Sequence, residues 1–302
     1  MTLSELTIFK LKAYTLESPF IMNPSRFTSL VKTWSSTGSL STARRHGAGG
    51  GDATDAFVAG GFADGGETNL TSTEEFNGAT WSSGGALSVA RSQCSGGGNI
   101  ADAIAFAGAG DTDGTEEYNG TSWSTGGDLG TGRTNIATEC AKSASDALCI
   151  SGYTGSWITA CEEYNGTSWS AGGSCSAVHG LCGGAVSASD GLAMGGHNGS
   201  VATSATEEYG GTSWSAGGSM TVTRRFFGSG GGASLAIASG GNGSGTEDDA
   251  EQYDGASWAA IDDMINTNLL QMAGMSQSTG TVINAGGSTS YPQSRVNCEV
   301  YT

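Results

Sequence analysis

Apolar positions in this chain fall in strand-length runs closed off by glycine pairs, and the whole arrangement recurs. Its cleanest form reads TEEYNGTSW at Thr115–Trp123, with variants at Thr73–Trp81, Cys161–Trp169, Thr206–Trp214 and Ala250–Trp258. Tryptophans stand at 34, 81, 123, 169, 214 and 258, in steps of 47, 42, 46, 45 and 44 residues. A period of this size, filled with strand-like segments, marks a radial or stacked repeat array. The repeat from Arg91 to Trp123 resolves into strands near 94–98, 103–108, 116–118 and 121–124. Asn119 and Gly120 between the last two predict a two-residue type I′ turn, which needs positive φ at both positions. Asn77 and Gly78, Asn165 and Gly166, Gly210 and Gly211, and Asp254 and Gly255 keep that chemistry.

The first and last repeats are incomplete in complementary ways. Trp34 has no glycine pair or Glu-aromatic before it, whereas Gly286, Gly287, Glu299 and Tyr301 are followed by no tryptophan. Joined, they make one unit. A closed circle explains this, because pairing the two ends inside one sheet removes exposed edges. The expected architecture is therefore an all-β, six-bladed propeller over 32–302. Its last blade combines residues near 269–302 with a strand around Lys32–Ser36, and an N-terminal arm at 1–31 precedes the ring.

The glycine pair, tyrosine and tryptophan at these distances resemble the kelch motif over roughly residues 33–302. Two repeats depart from it, with Gly108-Ala109-Gly110 and Ser151-Gly152 where a glycine pair is expected. The resemblance implies four-stranded blades in which Tyr118, Tyr164, Tyr209, Tyr253, Tyr301 and Phe76 pack between blades beside the tryptophans. It fixes fold and leaves function open, since kelch propellers include oxidases, scaffolds and adhesins. Arrays of this Gly-rich kind are also similar to repeats in bacteriophage virion and tail proteins.

Leu, Ile, Val and Phe make up only 45 of 302 residues, and the net charge is −17. Alone, that composition would signal disorder. Regularly spaced Trp and Tyr supply the missing buried area. The 52 glycines suit tight turns and close sheet contacts and would be costly in helices, so almost no helix is expected. Acidity excludes a nucleic-acid partner, which requires clustered Lys and Arg. No run is long enough to span a membrane, and no Sec-type signal pattern is present.

Residues 1–33 carry a net +2, leaving −19 on the remainder. In the arm, Phe9, Leu11 and Ala13 alternate with Lys10 and Lys12, a one-sided strand pattern. Two readings stay open. The arm folds back on its own ring, or it adds a strand to a neighbouring subunit.

Candidate chemistry is sparse. Asp55, Asp102, Asp146 and Asp190 recur at the turn between first and second strands; they are either a ring of oxygen ligands for a hard cation or good turn formers. His46, His179 and His197 occupy three different repeat positions, unlike a shared metal site. Paired glutamates such as Glu116 and Glu117 cannot flank one glycosidic bond, because adjacent strand residues face opposite ways. Some of Arg44, Arg91, Arg133 and Arg224, which start the inner strands, are expected to pair with a motif glutamate. The seven cysteines are packing residues, or one pair, Cys140–Cys149 or Cys175–Cys182, is bridged. Trp157 alone lies outside the repeat register, on a loop where it could stack on a sugar or partner or simply plug the loop itself. Asn69, Asn119, Asn165, Asn198 and Asn242 match Asn-x-Ser/Thr and read mostly as turn residues.

These features favour a non-catalytic structural or adhesive subunit of an extracellular particle, a phage virion or tail, with no cofactor. Its partners would be copies of itself, other structural proteins of the particle, or surface glycans. The alternative is a lectin-like, carbohydrate-binding propeller; no single-copy set of acid, base and nucleophile points to an enzyme.

Overall fold

The computed structural model describes residues 32–302 except 64–67, 111, 139, 185–186, 246–247, 267–272, 276–281 and 289–293. The arm, with Phe9, Lys10, Leu11 and Lys12, lies outside the described residues. The fold is all-β, with no helix among the described residues. Each repeat becomes a small antiparallel meander. The first runs Ala48–Gly51, Ala56–Ala59, Thr73–Phe76 and Trp81–Ser83. The second and third follow the same order, and a parallel bridge between Gly97 and Ala141 joins them into one eight-stranded sheet. The fourth has three strands, Gly191–Met194, Thr206–Tyr209 and Trp214–Ala216, with Gly183 bridging Met194 beside them. The fifth again has four, from Gly228–Gly232 to Trp258–Ala260. In a further four-stranded sheet, Trp34–Ser36 pairs antiparallel with Cys298–Tyr301, placing Trp34 opposite Tyr301. Together these features are consistent with a β-propeller.

Two local expectations are corrected. Tyr118 pairs directly with Trp123, so the hairpin loop is the four residues 119–122, not a two-residue type I′ turn. Only Gly120 has positive φ, +87°. Asn119 contributes its side chain instead, accepting the N–H groups of Thr121 and Ser122 at 3.0 Å each, the local bonding that makes Asn a turn former. The second correction concerns the glycine pair. In the second repeat the slot holds Ala107 and Gly108, with φ of +58° and +91°, and in the third Ser151 and Gly152, at +55° and +116°. Both match Gly60 and Gly61 at +66° and +97°, so the conformation survives where the first glycine is lost.

The core lies between sheets. Ala48 and Phe57 of the first sheet cluster with Cys94, Ala103, Ala105, Tyr118 and Trp123 of the second. First strands nearly touch: a Cβ on Gly50 would lie 2.7 Å from the carbonyl carbon of Gly97. Each buried apolar side chain contributes roughly 1.5–3 kcal/mol, but small residues keep that area low, and polar links supplement it.

Those links repeat. Arg44, Arg91, Arg133 and Arg224 pair with Glu74, Glu116, Glu162 and Glu251, all buried. Each arginine also donates to the carbonyl of the first glycine-pair residue: Gly60, Ala107, Ser151 and Gly240. In the fourth repeat His179 takes over both duties, its Nδ1 2.9 Å from Gly195 O and its Nε2 2.9 Å from Glu207. Both ring nitrogens thus face oxygen atoms.

The second glutamate of each pair faces the other way and accepts from the next repeat's tyrosine. Tyr118 donates to Glu75 and Tyr164 to Glu117, both at 2.5 Å. Tyr209 and Tyr253 donate likewise to Glu163 and Glu208. The trailing glycines make room: a Cβ on Gly126 would lie 2.7 Å from the Tyr164 hydroxyl. Where the repeat holds Val300 instead of the second glutamate, the next aromatic is Phe76 and the glycine slot holds Thr37. With no carboxylate, hydroxyl or close approach to accommodate, all three positions change together.

Candidate functional site

Just after each buried arginine or His179, the chain turns through a left-handed residue. His46, Gln93, Asn135, Leu181 and Phe226 have φ between +53° and +58°. Only glycine adopts this region without steric cost, and for other residues it costs of order 1–3 kcal/mol. A tertiary circuit holds the conformation. Gln93 N–H donates to His46 O at 2.8 Å, Asn135 to Gln93 O at 3.3 Å, Leu181 to Asn135 O at 2.9 Å, and Phe226 to Leu181 O at 3.0 Å. Head-to-tail bonds of this kind need N–H and C=O aimed along one arc, and a strand conformation would aim them across it. The repeat register puts the sixth position at Leu270, outside the described residues.

The five side chains surround one depression of 580 Å³, also lined by Arg45, Phe62, Asn69 and Trp157. Ring stacking fixes its aromatic floor. His46 meets Phe62 and Phe226 edge-on at 5.9 and 5.5 Å, and the Arg45 guanidinium lies 5.3 Å over Phe62. Asn69 is held in place by donating to Ala109 O at 3.0 Å and accepting from Ser92 Oγ at 2.7 Å. No carboxylate lines the depression among the described residues.

Trp157, singled out by its irregular position, belongs to this site. It is half-buried, lies against Gly180 with no room for a Cβ there, packs tilted against His197 at 5.3 Å and meets Tyr153 edge-on at 5.2 Å. Burial and the nearby Arg225 hold the His197 imidazole below its usual pKa. Tyr153 extends the patch outward and is 39% exposed.

The other candidates lie elsewhere. His46 precedes the first strand, Ala48–Gly51, and Asp55 follows it, so the aspartates sit at the other end of the first strands from the left-handed residues. Each reaches the next repeat's turn: Asp55 accepts from Ile100 N–H, Asp102 from Ala144, Asp146 from Ala188 and Asp190 from Ala233, at 2.8–3.2 Å. They act as links between successive turns and are not brought together. No three His, Cys, Asp or Glu side chains converge on a metal-sized position among the described residues. All seven cysteines are unbridged thiols, and the sulfur contact is Cys161–Cys175 at 3.6 Å, a pairing the spacing did not suggest. The left-handed series also escaped the sequence, because its members share no residue type. The signal available was their constant place, two residues after Arg44, Arg91, Arg133, His179 and Arg224.

Fold and site thus define an all-β repeat protein with a pocket assembled from five repeats. No family profile matches the chain, and no curated protein does. Among solved structures it is similar to the structure of YjhT, with a TM-score of 0.68 and 12% identity, over 87% of this chain and 95% of that one. At that identity the likeness concerns the fold.

Proposed function

We propose that this chain is a six-bladed kelch-type propeller, closed between Trp34–Ser36 and Cys298–Tyr301, that acts as a non-catalytic adhesive module recognising glycans. Strand pairing between the ends of the repeat region and the backbone circuit around the pocket support the closure. One observation carries the binding role: five non-glycine side chains are kept at left-handed positions where glycine would relieve the cost. Strain retained at a pocket points to function. The chemistry fits a sugar. Trp157 offers an aromatic surface, while Gln93 and Asn135 offer paired donors and acceptors to hydroxyl groups. A lining without carboxylates lacks the acid–base pair of a glycosidase.

Glycan-array binding by the wild-type chain, lost in Trp157→Ala and in Asn135→Gly with the fold intact by circular dichroism, is the expected result. Full retention in both variants would remove the pocket from the proposal. The setting we propose is the surface of an extracellular particle such as a phage virion or tail. The charge contrast between residues 1–33 and the acidic remainder favours assembly through the arm. Deleting residues 1–31 should then abolish incorporation into particles while leaving glycan binding unchanged; normal incorporation refutes it.

A further inference from the structure

Two buried positions recur in every repeat: the residue opening the third strand, and one in the connection that follows the tryptophan strand. In five repeats the pairs are Thr73 with Leu87, Thr115 with Leu129, Thr206 with Met220, Ala250 with Met264 and Cys298 with Leu40. The same backbone bond seats the second member each time, from Leu87 N–H to Thr71 O, Leu129 to Asp113 O, Met220 to Ser204 O, Met264 to Asp248 O and Leu40 to Val296 O. The third repeat has Cys161 and Cys175, and Cys175 N–H donates to Thr159 O in the same way.

Cys175 is therefore the one departure from Leu or Met in its slot, and it coincides with a cysteine at the position it touches. Neither change helps the reduced fold. A cysteine in place of leucine fills less of a buried space. Cys161 also lacks the hydroxyl that Thr73, Thr115 and Thr206 offer to the indole N–H groups of Trp123, Trp169 and Trp258. Trp214 instead donates to Gly173 O. The two sulfurs lie 3.6 Å apart, about 1.5 Å from bonding distance. Cys161 also lines a depression of 330 Å³ with Trp169 and Ser174.

We propose that Cys161 and Cys175 form a reversible disulfide that ties the third sheet to the connection leading into the fourth. The oxidant is a small-molecule disulfide. The Cys161 thiolate attacks one of its sulfurs, forming a mixed disulfide and releasing one thiolate. The Cys175 thiolate then attacks the Cys161 sulfur, forming the protein disulfide and releasing the second. The dithiol loses two electrons and two protons, and the oxidant gains them as two thiols. The S–H of Cys175 directed at Cys161 holds the Cys161 thiol below its usual pKa, which suits it to attack first.

Full-length protein is incubated with oxidised glutathione or with dithiothreitol, alkylated, and digested by chymotrypsin, which cuts after Tyr164 and Trp169 and so separates the pair. The expected result is a cross-linked peptide of Cys161 and Cys175, lighter by two hydrogens than the separate thiols, and a rise in melting temperature on oxidation. Cys175→Leu restores the residue found at 40, 87 and 129, so it should fold while showing neither change. Both thiols alkylated after oxidation, a Cys140–Cys149 or Cys175–Cys182 link in their place, or an equal temperature rise in Cys175→Leu would each overturn the proposal.

Discussion

Replacing Arg91 by Met tests whether the buried ion pairs hold the repeats together. The Arg91 guanidinium donates to Glu116 Oε1 at 2.9 Å, to Gly114 O at 2.9 Å and to Ala107 O at 3.3 Å, with both side chains almost wholly buried. Methionine fills much of the same space but leaves the Glu116 charge without its counter-ion. Removing one partner of a buried pair costs about 3–5 kcal/mol. Glu116 keeps the N–H groups of Ser88 at 2.7 Å and Val89 at 3.3 Å, so the lower end, about 3 kcal/mol, is expected. For a domain of this size that is a fall in melting temperature of roughly 6–12 °C. Urea unfolding followed by tryptophan fluorescence, alongside a thermal scan, measures it. Arg91→Met with Glu116→Gln should recover more than half the loss, because the cost comes mainly from the stranded charge. A single variant as stable as wild type, or a double variant no better than the single, would refute the reasoning.

Three further outcomes are expected. Tyr164→Phe removes the bond to Glu117 and should cost about 1.5–3 kcal/mol; adding Glu117→Val, the Phe76 and Val300 solution, should recover much of it in chemical unfolding. Burial and bonding to Glu117, Glu163 and Glu208 push the phenols of Tyr164, Tyr209 and Tyr253 up to about 12. Their contribution is complete below about pH 10, the unfolded value, and is lost as pH rises toward 12. Phenolate absorbance should then rise together with unfolding, whereas independent titration near pH 10 in an intact fold contradicts the assignment. Burial raises the Glu207 carboxyl, but hydrogen bonds from His179, Ser176 and Ala177 outweigh it and hold the group at about 2. Its contribution is present above about pH 4.3, the unfolded value, and is lost as pH falls through about 2. Acid unfolding of Glu207→Gln should be less pH-dependent across that window, and an unchanged profile counts against it.

Alternation along a strand is a local property, which is why much of this fold was legible in one dimension. Neighbouring residues such as Glu116 and Glu117 must face opposite ways. One meets the Arg91 of its own repeat and the other the Tyr164 of the next, as the strand period requires. The spacing of Trp and Tyr likewise located the strands and the joining of Trp34 to Tyr301. The hairpin loop was missed because Asn119 acts through its side chain, and residue type alone does not separate that from positive φ.

Tertiary structure decided the site. His46, Gln93, Asn135, Leu181 and Phe226 lie about 45 residues apart and share no chemistry. Inter-repeat N–H to carbonyl bonds impose their common backbone conformation and turn their side chains, with Trp157, toward one depression. Contact between Cys161 and Cys175 has the same origin, since it depends on how a connection folds back over a strand and not on their separation along the chain.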